Sequence, residues 1–127
     1  MNAEIKARWL AALRSGKFKQ GRYRLRKGDH YCCLGVLCEV VHKDIGGWWA
    51  RPRENETSVW PCNDQTHVFK TEPGAGTSAL LPEAVAEYAG LDPDQLGVSI
   101  LPHLMLTDMN DQGNNFAEIA DSIEKHL

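Results

Sequence analysis

The sequence predicts an α+β fold, one globular domain over residues 1–127 with about four helices packed on a small, mostly antiparallel sheet. Three observations carry that expectation. Both ends of the chain show apolar residues at helical spacing. The run Arg22-Tyr23-Arg24-Leu25-Arg26 alternates with period two, as a strand does. Between Gly46 and Leu81 the helical period gives way to tryptophans, prolines and turn formers. A chain of 127 residues with 43% hydrophobic and 24% charged residues suits a single hydrophobic core.

In the first helix, Asn2 reads as an N-cap and Glu4 falls where the helix dipole favours an acid. Ile5, Trp9, Ala12 and Leu13 share one face, and Gly16 sits where a left-handed cap belongs, so the helix runs from about Ala3 to Ser15. In the strand that follows, Tyr23 and Leu25 should point inward and the three arginines outward. Lys27-Gly28-Asp29 reads as a turn.

The most apolar run lies between His30 and His42. As a helix from about Tyr31 to His42, it places Cys33, Val36, Leu37, Val40 and Val41 on a core face, with Gly46-Gly47 as its stop. The opposite face carries Cys32, Gly35, Cys38, Glu39 and His42. An alternative for the first residues is that Tyr31 to Leu34 pair as a strand back onto Arg22–Arg26.

Further on, short strands are expected at Trp48–Arg51, Ser58–Trp60 and Val68–Lys70, with Glu54-Asn55-Glu56 as a turn and Glu72–Ser78 as a mobile loop. Pro82 opens a helix to Ala89 that Gly90 closes, with Leu81 and Val85 as a staple across its start. Leu96, Val98 and Ile100 alternate as a short strand. Pro102 then opens a helix to about Gln112 that buries Leu101, Leu104, Met105 and Met109. After Gly113, Asn115 and Glu118 form a capping-box pattern for a last helix with Phe116, Ile119, Ala120 and Ile123 inside.

The net charge of −3 hides an asymmetry: residues 1–53 carry +8 and residues 54–127 carry −11. The halves either neutralise each other at their seam or leave a basic end for an anionic ligand. Arg22, Arg24 and Arg26, helped by Lys17, Lys19 and Lys27, suit phosphate contacts, although a charged edge strand also keeps a sheet soluble. Trp48 and Trp49 either offer a stacking platform for a base or fill a loop-rich core. Gly35, Cys38, Glu39 and His42 would line the same site.

A rival reading is a small zinc- or thiol-dependent enzyme. Cys38 and His42 are one helical turn apart, and Cys62 with His67 could complete a zinc set, without a tight Cys-x2-Cys knuckle. Cys32, near a helix start and cations, is the candidate nucleophile. A third reading is a purely structural interaction domain. The acidic C-terminal segment lacks a following recognition helix, so it reads as a helix hairpin and not a DNA reader. No apolar run approaches the roughly 20 residues of a membrane span, and the N-terminus shows no secretory pattern, so a cytoplasmic protein is expected, with its cysteines as free thiols or metal ligands and not bridges.

Leu13-Arg14-Ser15-Gly16-Lys17-Phe18 leading to Tyr31-Cys32-Cys33-Leu34-Gly35-Val36-Leu37-Cys38, together with Met109-Asn110-Asp111-Gln112-Gly113, Phe116 and Glu118-Ile119-Ala120, resembles a group of small bacteriophage and prophage proteins. The resemblance covers about half the chain and transfers no catalytic residue. It implies a phage accessory protein in the bacterial cytoplasm. The resulting expectation is a binding module without a resident cofactor, which engages a nucleotide, a nucleic acid or a host protein.

Overall fold

The computed structural model describes residues 1–51, 66–73, 76–101 and 104–127, with Ile100, Leu101 and Leu104 described by backbone alone. The fold is α+β. Its helices are α1 (Ala3–Arg14), α2 (Cys33–Ile45), α3 (Glu83–Ala89), α4 (Leu106–Asp111) and α5 (Phe116–His126). Five short strands form one mixed sheet in the order β1-β3-β2-β5-β4: β1 (Lys19–Gln20), β2 (Arg26–Lys27), β3 (His30–Tyr31), β4 (Trp48–Ala50) and β5 (Thr66–Lys70). β1 runs parallel to β3, and the other pairs are antiparallel. A separate two-stranded ribbon joins β6 (Ser99–Leu101) to β7 (Leu104–Met105).

The capping chemistry sets the helix ends as expected. The Asn2 side chain accepts from the Ile5 N–H at 3.1 Å, and the capping box of Asn115 and Glu118 closes reciprocally at 3.1 and 2.9 Å. Phe116, Ile119, Ala120 and Ile123 are buried, as are Leu81 and Val85 at the start of α3. The segment after Ile100 departs from expectation. Met105 is the last strand residue, and α4 is a six-residue helix that buries Leu106 and Met109. Pro102 and the predicted strand Ser58–Trp60 with its turn fall outside the described residues. The Glu72–Ser78 loop is tied back at its far end: Thr77 and Phe69 exchange backbone hydrogen bonds at 2.8 and 3.1 Å, and Ser78 is buried.

α2 is the element around which the rest packs. It contacts α1, α3, α4 and the sheet, so Cys33 to Cys38 are buried on every side. Trp9 of α1, fully buried, donates its indole N–H to the Cys33 carbonyl at 3.0 Å. At Gly35 the bend that leads into β2 passes so close that a Cβ would overlap the Leu25 carbonyl oxygen. Glycine at this position lets α2 lie directly on the backbone beside β2.

The start of α2 rests on Asn110, which is 1% exposed. Its Oδ1 accepts from the Cys33 N–H at 3.2 Å and from Gln20 Nε2 at 3.1 Å, while its Nδ2 donates to the Gly21 carbonyl at 2.8 Å. Such a satisfied amide stabilises because any of the three groups would be costly to bury alone.

Across the charge halves, Arg14 on α1 bridges Asp121 and Glu124 on α5, both at 2.9 Å. Part of the sequence's charge asymmetry is therefore neutralised at the α1–α5 seam. These pairs are exposed, so solvent and salt screen them and they add little to stability.

Gly35→Ala is expected to destabilise the fold by about 3 kcal/mol or more, because its methyl would overlap a backbone oxygen that cannot rotate away. Urea denaturation of the variant measures this. A midpoint equal to that of the parent would contradict the close approach.

Candidate anion-binding surface

The arginine strand is shorter than its alternation predicts. Pairing begins at Arg26, and residues 22–25 form a bend. Leu25 is buried as expected, but Tyr23 is 64% exposed and occupies the left-handed region at φ 68°. Its N–H donates to Asp111 Oδ1 at 2.9 Å, which turns the residue outward. The three arginines consequently share no face. Arg22 lies against Gly113, Arg24 donates to the Tyr23 carbonyl at 3.2 Å, and Arg26 folds inward over two rings.

Arg26, Glu39 and His42 are the predicted site residues that come together, at the seam between α2 and the sheet. The Arg26 guanidinium lies 5.3 Å from the Tyr31 ring centroid and 5.6 Å from that of Trp49, and its Nε donates to the Gly28 carbonyl at 2.8 Å. Glu39 Oε2 accepts from the Trp49 indole N–H at 2.7 Å, and His42 Nε2 stands 3.7 Å from Glu39 Oε1. Phe18, Tyr31, Trp49 and Phe69 continue edge-to-face through this seam at centroid separations of 5.0–5.9 Å. Burial is the main cause that raises the Tyr31 phenol above its ordinary pKa. Trp49 thus fills the seam between helix and sheet, and the cluster's polar groups are largely occupied by one another.

Gly35 and Cys38 do not line this or any surface. Gly35 is pressed against Leu25, and Cys38 is fully buried. The expected second face of α2 is therefore core for Cys32, Gly35 and Cys38, and opens toward solvent at Glu39 and His42.

The same burial bears on thiol chemistry. Cys32 is the N-cap of α2 and accepts from the Gly35 N–H at 3.4 Å, which favours a thiolate. Desolvation outweighs that bond and pushes the thiol up to about 11. Burial also holds the Cys33 and Cys38 thiols well above the ordinary range. Among the described residues, no group of three or more His, Cys, Asp or Glu side chains could hold a metal ion. Cys62 of the predicted zinc set lies outside them, while His67 falls in β5 opposite Arg26.

The other side of the sheet carries a feature that alternation at Arg22–Arg26 did not reveal. Lys19 stands opposite His30, and His30 stands opposite Lys27, so residues of β1, β3 and β2 project in a row from one face. With strands spaced by about 4.8 Å, the row is about 10 Å long. Lys19 and His30 are 68% and 52% exposed in their side chains, and Lys27 is exposed. Asp29 in the turn reaches Lys19 Nζ at 2.9 Å and His30 Nδ1 at 2.8 Å. Lys27 has no ion pair among the described residues. Lys19 and Lys27 flank His30 across the strands, and the one aspartate of the turn is engaged by Lys19 and His30. By strand pairing, Trp48 belongs to the same face at the far end of β5, where it is 40% exposed. Thr66, Val68 and Lys70 of β5 intervene on that face and are buried. The signal for the row was present in the sequence as Lys19, Lys27 and His30, but reading it required the strand register.

The fold and this surface define a small single α+β domain with a cationic sheet face. The chain belongs to the family described as Domain of unknown function (DUF8296), which matches residues 1–127. No curated protein and no solved structure matches it. No helix among the described residues is long and apolar enough to cross a membrane.

In the folded protein at pH 8, an alkylating reagent should leave Cys32, Cys33 and Cys38 unmodified, as read by peptide mass mapping. Their folded pKa values are raised by burial, so their contribution to stability is complete below the unfolded thiol value near 9; that of Cys32 is lost as pH rises to about 11, and those of Cys33 and Cys38 are lost well above the ordinary thiol range. Modification should accelerate over that window. Rapid alkylation of Cys32 at pH 8 would contradict its burial.

Proposed function

We propose that this protein is a binding module for a phosphate-bearing ligand of the nucleotide or nucleic-acid class, working as an accessory protein of phage type. The observation that carries the reading is the cross-strand row Lys19–His30–Lys27 on an exposed sheet face. An anion placed along it meets the Lys19 and Lys27 ammonium groups and gains charge-assisted hydrogen bonds from them. Trp48 lies four residues along β5 from the level of Lys27, about 13 Å away at strand rise, and offers an indole for stacking. A strand of several nucleotides spans that distance, whereas a single nucleotide does not, so the longer ligand is favoured. The phage-type setting rests on the resemblance of the two chain ends.

This differs from a site built on Arg22, Arg24 and Arg26, since those side chains diverge. The zinc or thiol enzyme reading is less favoured because Cys38 is enclosed and Cys32 is held as a protonated thiol.

A single-stranded oligonucleotide should bind more tightly than a nucleoside triphosphate in a fluorescence titration of the full chain. Changing both Lys19→Glu and Lys27→Glu should weaken oligonucleotide binding at least tenfold at low salt. It should also flatten the log–log salt dependence by about 1.4, the loss of two single-strand phosphate contacts. Circular dichroism should remain that of the parent. Unchanged affinity and slope in a folded variant would refute the proposal.

A further inference from the structure

A second surface has the opposite charge and a different shape. Beside α4 lies a cleft of about 200 Å³, whose lining includes Tyr23, Cys32, Leu80, Thr107, Asp108 and Asp111. Two of its walls are large apolar side chains left in water: Tyr23 is 64% and Leu80 49% exposed. The other side is oxygen-rich. Asp108 and Asp111 stand three residues apart on α4 and so share a face, and Thr107 also lines the cleft.

The fold fixes each wall separately. The Tyr23 backbone is held in its left-handed conformation by the N–H bond to Asp111 Oδ1. Leu80 follows the buried Ser78, whose carbonyl accepts from the Leu25 N–H at 2.6 Å, so that the segment is anchored just before it turns outward. Cys32 is 4% exposed and borders the cleft from the core side. Its sulfur accepts the Gly35 N–H, and its S–H reaches no acceptor among the described residues. The Asp108 carboxylate is exposed and forms no ion pair among the described residues.

These features narrow the occupant. The volume is below the roughly 300–1,000 Å³ of pockets that enclose small-molecule ligands, and suits one long side chain. Two carboxylates repel phosphate, so the ligand of the sheet face is excluded. Among the described residues, the carboxylates form no group of three with other His, Cys, Asp or Glu side chains that could hold a metal ion. What remains is a cation with an apolar or planar body. A guanidinium meets a carboxylate with two parallel hydrogen bonds and stacks on an aromatic ring, while its aliphatic stem covers apolar surface. The carboxylates of α4, the Tyr23 ring and the Leu80 side chain, all in the lining of the cleft, offer those contacts.

We propose that this cleft receives an arginine side chain presented by an extended segment of a partner protein. Charge complementarity selects the residue, and the exposed Tyr23 and Leu80 supply the apolar contact that a simple ion pair in water lacks. The site is independent of the cationic row, and neither depends on the other being correct.

The test uses the full chain, isotopically labelled, and a blocked seven-residue peptide with one central arginine among glycine and serine. Peptide addition should move the amide resonances of Tyr23, Leu80, Thr107 and Asp108 in a saturable way. The same peptide with citrulline, which keeps the shape and removes the charge, should bind at least tenfold more weakly. Asp108→Asn should weaken the arginine peptide at least fivefold, with the remaining spectrum unchanged. Because Asp108 is exposed and holds no backbone group in place, this variant separates recognition from folding. Equal binding of the citrulline peptide, shifts centred on another surface, or full binding by Asp108→Asn would overturn the proposal. Concentration-dependent shifts of the same resonances without peptide, abolished by Asp108→Asn, would make the occupant a second copy of this chain and likewise overturn it.

Discussion

The side chain of Asn110 joins three parts of the chain that would otherwise be free to shift. It receives the first amide of α2, a side-chain amide from β1, and gives one hydrogen to the Gly21 carbonyl. Gly21 in turn donates to the Tyr31 carbonyl at 2.8 Å, which continues the β1–β3 pairing past its last strand residue. The position of Lys19 opposite His30 therefore depends on an amide more than 80 residues away. A hydrophobic residue at that point could fill the space but would leave several buried polar groups unpaired.

Around this junction the cysteine-rich run and the C-terminal segment meet. The Cys33 thiol donates to the Leu106 carbonyl at 3.7 Å, and Asp111 holds the Tyr23 amide. The cysteine-rich run is thus part of a packed junction. Its small thiols fill space where α2 touches α1, α4 and the sheet, and desolvation makes them poor nucleophiles. Its glycine serves the same packing, as the Leu25 carbonyl occupies the place of a side chain. The residues that look most chemical in the sequence are largely those that let α2 be enclosed.

Much of the fold was legible because local physics fixes it. Caps at Asn2 and Asn115, the 3.6-residue spacing in α1 and α5, and the stop at Gly90 act within a few residues and survive in the structure. α2 was legible as a helix, but its second face was not. Burial of Cys32, Gly35 and Cys38 depends on neighbours from distant segments. The reading of Arg22–Arg26 failed for a related reason: alternation implies a strand only if partners extend along it, and here pairing begins at Arg26. The alternative strand over Tyr31 to Leu34 holds for Tyr31 alone: His30–Tyr31 pairs back onto Arg26–Lys27, while Cys33 and Leu34 belong to α2. The α+β class and the presence of a basic surface could be inferred from composition and pattern. Which cations form that surface was decided by register, which the short strands do not advertise.

The cation row is the central claim, and its most direct test is a map of where a ligand touches the folded chain. Amide resonances should be followed as a short single-stranded oligonucleotide is added to the labelled protein. Shifts concentrated on Lys19, Lys27, Asp29 and His30, extending to Trp48 and fading as salt is raised, are the predicted result. Shifts centred on α3 or α5, or a spectrum that oligonucleotide leaves unchanged at low salt, would contradict the assignment of this sheet face as the binding surface.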